Sequence, residues 1–168
     1  MATLTTNVNF LQPSGFKVTI DRDNYPNLEF FAQSVEHPSV SASPGEIDFR
    51  GVRLPTTPDR IEFADLTMNI LVDEDMTSYL EVFNWFKRLI EEPEQTPGQA
   101  LDNAAAQPPS RADVTVTILT SHNNANKTIK YLDAFPVDIG SISLETTAGD
   151  AVFITCPITF KYTRFEIS

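Results

Sequence analysis

Alternation of apolar and polar positions with a period of two dominates the chain and recurs in segment after segment, which predicts a β-rich domain. Phe16, Val18 and Ile20 form one face of a first strand, with Lys17, Thr19 and Asp21 opposite. A second strand is expected from about Leu28 to Glu36, where Leu28, Phe30 and Ala32 alternate with Glu29, Phe31 and Gln33; aromatics on both faces suggest that both are covered. A third spans Glu46 to about Leu54, alternating Ile47 and Phe49 with Asp48 and Arg50 until Gly51 interrupts it, as a bulge or turn would. The cleanest early strand is Leu66 to Val72, with Leu66, Met68, Ile70 and Val72 on one side. Val114, Val116 and Ile118 mark another; the polar turn SHNNANK separates it from Ile129, Tyr131 and the apolar end at Phe135. The last runs from Val152 through Ile154, Cys156, Ile158 and Phe160 to Tyr162, with Pro157 on its opposite face, which predicts an edge or a bulge because proline cannot donate to a ladder.

One stretch breaks the pattern. From Thr77 to about Glu91, Tyr79 or Leu80, Phe83, Phe86 or Lys87, and Ile90 fall at helical spacing, and Pro93 ends the run. The face so defined is the one expected to pack on a sheet. Trp85 lies one step off the Phe86 direction, free to cover a neighbour. From Pro93 to Ala112 four prolines fall among small residues, an extended surface loop longer than most in ordinary domains. The expected fold class is mainly β, a β-sandwich or barrel with one flanking α-helix, in a single domain over residues 1–168.

The joint LVDEDMTSY places Asp73, Glu74 and Asp75 between that cleanest strand and the helix. As a cation site the run lacks the alternate spacing of oxygens and the turn glycine of a calcium loop. Local physics offers a simpler role: carboxylates ahead of a helix accept from its free N–H groups, with Asp75 or Thr77 as the cap. No metal ligand set, cofactor fingerprint or phosphate loop is present elsewhere in the sequence. The single Cys156 sits among apolar neighbours, as a core thiol does, and neither His37 nor His122 falls in a nucleophile motif. No catalytic, cofactor-binding or metal residues are therefore assigned.

Charge adds a constraint. The formal net charge is -11, and the 36 positions from Asp59 to Glu94 hold ten acidic and three basic residues. Such an excess repels phosphate backbones and disfavours specific nucleic-acid binding. No apolar run approaches the roughly 18 to 20 residues of a membrane helix, so no membrane insertion is expected, and MATLTTNVNF does not read as a signal peptide, so a cytosolic product is expected. Against this acidity, Arg50, Arg53 and Arg60 cluster around GEIDFRGVRL and PTTPDR. They are either the solvated face of a hairpin or a subunit contact, since arginine is favoured at interfaces.

The order of these segments resembles the tail tube proteins of contractile-tailed bacteriophages, including their baseplate tube-initiating rings, and more distantly the tube proteins of contractile injection systems. The resemblance begins at NFLQPSGFKVTID and continues through LEFFAQSVEHPSV to RGVRLP. It is most specific in FADLTMNILVDEDMTSYLEVFNWF, with its strand, acidic joint and tryptophan-bearing helix, and closes on YLDAFPVDIGSISLETTAGDAVFITCPITFKYTRFEI. The loop 93–112 is the part least matched.

The resemblance implies a non-enzymatic virion protein assembled in the host cytoplasm, forming hexameric rings with a continuous inner β-barrel. The rings would stack into the inner tube that conducts the genome, either as the main tube or as the initiator ring. The implied partners are further copies of the chain, the tail sheath protein, the baseplate hub and the tape-measure protein. DNA would pass a negative lumen without specific binding. By its place in the pattern, the segment from about Ser39 to Pro58 is the expected contact with a neighbouring subunit or ring. Ser39, Val40, Ile47, Phe49, Arg50 and Arg53, with the nearby Arg60, are its candidate residues. Two readings from other classes compete: a β-sandwich carbohydrate-binding module using Trp85, Tyr79 and the long loop, and a metal-assisted hydrolase using Asp73 and Asp75.

Overall fold

The computed structural model describes residues 10–21, 24–91, 109–144 and 153–168. The chain is mainly β. In order it forms β1 (Phe16–Thr19), α1 (Pro26–Phe31), β2 (Ala32–Glu36), β3 (Val40–Ser41), β4 (Glu46–Phe49), β5 (Val52–Pro55), β6 (Glu62–Phe63), β7 (Leu66–Leu71), α2 (Thr77–Glu91), β8 (Ala112–Leu119), β9 (Ala125–Ile139), β10 (Thr155–Lys161) and β11 (Arg164–Ile167). Most of the expected loop 93–112, and Val152 of the expected last strand, lie outside the described residues.

Seven strands make one antiparallel sheet in the order β1-β8-β9-β10-β7-β2, with β11 also on β9. The long β9 serves two halves. Its first part pairs with β8 and β11, and its last residues, Phe135 to Ile139, pair with β10. Between them Asp133 adopts φ 55 and the β8–β9 register shifts, the kind of bulge by which a strand turns a corner between layers. Asp113 holds the corner by accepting the Asp133 N–H at 3.1 Å. Val18, Val114, Val116 and Tyr131 from one half, and Met68, Ile70, Ile158 and Phe160 from the other, join a single buried cluster. The sheet does not close: its end strands β1 and β2 flank an open cleft of about 910 Å³, bridged at one point by the Lys17–Glu29 ion pair at 3.2 Å.

Several expectations change. The strand expected from Leu28 begins only at Ala32, because Pro26 starts a six-residue helix: proline suits a first helical turn, where its missing N–H has no partner to lose, and the turn buries Leu28. There are thus two helices among the described residues, and α1 packs on α2. The strand expected from Glu46 to Leu54 is a hairpin, turned at Arg50 and Gly51. The last expected strand stops at Lys161, and a further short strand, β11, follows it.

Pro157 is not on an edge. It lies in β10, between β9 and β7, and the nearest register shift falls two residues on, between Thr159 and Phe160. Its place is made by Gly140, just past the end of β9. The Gly140 N–H donates to the Pro157 carbonyl at 2.7 Å, while the Gly140 carbonyl receives the Cys156 thiol at 3.3 Å. A Cβ at 140 would stand 2.4 Å from Cγ of the proline ring, so the missing side chain admits the missing N–H.

The face of α2 differs too. Ser78, Val82 and Trp85 are buried and Leu89 packs beside them, a helical stripe that excludes most of the expected one. Leu80, Phe83 and Ile90 are 48%, 45% and 60% exposed. Two apolar stripes compete on this helix, and the indole decides between them: it stacks on Tyr25 at 4.5 Å between ring centroids, meets Phe160 at 5.8 Å and donates to the Ser110 carbonyl at 2.6 Å.

Candidate assembly interface

The hairpin β4–β5 is an amphipathic arm. Its register sets Ile47 opposite Leu54 and Phe49 opposite Val52, and cross-strand partners share a face. These four side chains are 47–60% exposed, an apolar surface that the chain's own body leaves open to solvent. The other face is charged: Arg53 reaches Glu46 at 3.3 Å and Asp48 at 3.6 Å. At the tip Arg50 and Gly51 have φ 49 and 81, the paired positive values that match a two-residue turn to strand twist. Arginine is a costly choice there, since a Cβ disfavours this region. The Arg50 guanidinium stands 5.4 Å from the Phe49 ring centroid, which leaves a cation and an aromatic ring together at the end of the arm.

The remaining candidates lie around the arm's base. Val40 is exposed on β3 opposite Phe63, the Ser39 carbonyl accepts the Ala64 N–H at 3.0 Å, and Arg60 pairs with Glu62 at 3.4 Å. Ile47, Phe49 and Arg50 therefore share one surface, Arg53 occupies its reverse, and Arg60 belongs to the base. Sequence reasoning missed Val52 and Leu54, which complete the apolar face. The Arg-Gly dipeptide was the signal: a two-residue turn there pairs 47 with 54 and 49 with 52.

At the DED joint the carboxylate serving the helix is Asp73, not the expected Asp75. Its Oδ1 accepts the Ser78 N–H at 3.3 Å, and Thr77 takes part as a donor to it rather than as the cap. Met76, at φ 53, turns the chain and offers its carbonyl to the Leu80 N–H at 2.8 Å, which brings Asp73 to the helix start. Partial desolvation works against the Asp73 charge, but the bonds from Thr77 and Ser78 outweigh it and hold the carboxyl below the ordinary aspartate range. Glu74 and Asp75 point to solvent. Among the described residues no cluster of three or more histidine, cysteine or acidic side chains could hold a metal ion.

Glu81 shows the opposite shift. Burial foremost raises its carboxyl above the usual range, against bonds from the Asn27 side chain and the Asn27 and Leu28 N–H groups, and its buried Oε2 has no hydrogen-bond partner among the described residues. A raised value in the folded state means that this group's stabilising contribution is complete below the unfolded glutamate value and is lost as pH rises through the folded one. Glu81→Gln is therefore expected to melt higher than the parent at pH 7, with the difference closing below about pH 4. Thermal melts across that range check it; a constant difference would contradict the assignment.

The described residues thus combine an open sheet, a helix with an uncovered apolar flank and an amphipathic hairpin whose apolar face is exposed. The sequence matches the model of the phage tail tube protein family over residues 2–168, and the chain belongs to that family. A comparison with curated proteins gives no match. Among solved structures, the fold is similar to chains in an extended extracellular contractile injection system sheath–tube complex, PVC, at TM-score 0.64 and 17% identity, covering 99% of each chain. It is similar also to the tube-terminating cap of the anti-feeding prophage at TM-score 0.66 and 14% identity, covering 99% of this chain and 95% of the other. The anti-feeding prophage baseplate supplies a third likeness, at TM-score 0.61 and 16% identity, covering 100% and 97%. At these identities the likeness is one of fold.

Proposed function

We propose that this chain is the inner tail tube subunit of a contractile phage tail, with six copies closing a ring and the rings stacking into a conduit for the genome. The family match over residues 2–168 carries the reading. Two features of the molecule support it. Among the described residues the outer edges of the end strands β1 and β2 carry no strand partner, and a ring in which neighbouring subunits extend the sheet would satisfy them. The apolar face of β4–β5 supports a subunit contact at Ile47, Phe49 and Arg50. The partners that follow from this reading are further copies, the sheath, the baseplate hub and the tape-measure protein, in a virion assembled in the host cytoplasm. The excess of acidic residues, net -11, suits a lumen that repels DNA phosphates, and an inner wall found neutral or basic would contradict that part.

Likeness to baseplate and cap chains favours a second reading, a single ring that starts or ends the tube. Negative-stain microscopy of concentrated protein tests the first proposal: rings or tubes are expected, and a protein that stays monomeric at high concentration would refute it. Counting copies per particle by quantitative mass spectrometry separates the two readings, since a main tube needs many rings and an initiator needs one.

A further inference from the structure

Resting on that self-assembly, we infer that the apolar face of the β4–β5 hairpin of one copy docks along the outer stripe of α2 on another. Each is the partner the other lacks. The stripe consists of Leu80, Phe83 and Ile90, all at least 45% exposed on one flank of the helix. At its C-terminal end it runs into a shallow groove of about 320 Å³ between Phe86, Leu89 and Ile90 on one side and Phe135, Pro136 and Val137 on the other. The dimensions agree: a four-residue strand reaches about 13 Å, and Leu80 to Ile90 spans about 15 Å of helix.

Charge sets the direction. Arg50 caps the tip of the hairpin and Glu74 and Asp75 stand exposed at the start of the α2 stripe; among the described residues Arg50 meets no carboxylate and neither acid makes an ion pair. Tip against helix start brings these charges together, and lays Phe49 and Ile47 toward Phe83 and Ile90. Hairpin against hairpin would instead be a two-fold contact that closes at a dimer, leaves the α2 stripe bare and builds neither a six-membered ring nor a stack. Two different patches on one chain make a heterologous contact, the kind that rings and open stacks require.

Cysteine cross-linking tests this. Phe49→Cys and Phe83→Cys replace exposed side chains, and the native Cys156 is buried and out of reach. Mixed as two populations, assembled and treated with copper phenanthroline, they are expected to give a disulfide-linked dimer of one of each. The double variant should give a ladder of multiples. Assembly without cross-linking in the mixture, or cross-linking of Phe49→Cys with itself, would overturn the docking while leaving the tube reading intact; absence of any assembly by the parent would overturn both. Charge reversal is the second measurement: Arg50→Glu is expected to raise the concentration needed for assembly at least tenfold, and Glu74→Lys with Asp75→Lys in the same chain to restore it. No restoration would count against the proposed direction.

Discussion

Trp85→Ala is expected to lose about 3–5 kcal/mol of folding stability, a large share of the roughly 5–15 kcal/mol that holds an ordinary domain. The indole is fully buried and lies where α1, α2 and the sheet meet. Truncation would remove its stack on Tyr25 and its contact with Phe160, and would leave the Ser110 carbonyl without the N–H that reaches it at 2.6 Å. A second effect follows through Tyr25, whose hydroxyl accepts from Arg88 on the next turn of the same helix. With the indole gone, that tyrosine loses the surface that sets its plane. Trp85→Phe keeps an aromatic face but forfeits the N–H and part of the buried ring volume, so it should fall between the parent and the alanine variant. Urea denaturation followed by far-ultraviolet circular dichroism measures the series, since the chain's one tryptophan is the residue replaced. A loss below about 1 kcal/mol in the alanine variant would mean that the site is not the junction described.

The strands that build the core were the most legible part of the sequence, for a physical reason. In β7 Leu66, Met68 and Ile70 are buried while Thr67 and Asn69 are not, so a single buried face wrote itself into the residue types. In β8 and β10 the same rule holds. Where a segment has apolar residues on more than one side, periodicity loses its power. The stretch from Leu28 to Phe31 satisfies alternation and a helical turn equally well, and Pro26 was the local signal for the helix.

The helix α2 shows the same difficulty at larger scale. Its sequence holds one stripe through Ser78, Val82, Trp85 and Leu89 and another through Leu80, Phe83 and Ile90. Counting large apolar residues selects the second. The structure buries the first: the Trp85 indole packs inward, and Ser78 donates its hydroxyl to the Leu71 carbonyl at 2.9 Å, which holds the small end of that stripe against the strand before it. A buried serine has no weight in a hydrophobic pattern; here it marks the inward face. The acidic joint was placed correctly between strand and helix, but which carboxylate meets the helix depends on the positive φ at Met76, which residue order alone does not reveal.

Pairing Ile47→Thr with Phe49→Thr is expected to leave the isolated subunit's melting temperature unchanged while raising the concentration needed for assembly by more than tenfold. Threonine keeps the strand preference of the arm, so the hairpin retains its geometry and loses only its apolar surface. Burying a fully exposed large apolar side chain is worth about 1.5–3 kcal/mol, and little more than half of each of these remains to be buried, so the two together account for at least one power of ten in association. In the monomer the same side chains are 58% exposed, and truncating them opens no cavity and unpairs no polar group. Trp85 supports the fold from inside, whereas on the proposed docking the hairpin face finds its partner on another copy, so the two substitutions should separate stability from assembly. Sedimentation velocity across a concentration series, read beside a thermal melt of the same variant, distinguishes the outcomes. Assembly equal to the parent's would remove the hairpin from the interface, and a lowered melting temperature would show that its apolar face belongs to the subunit's own core.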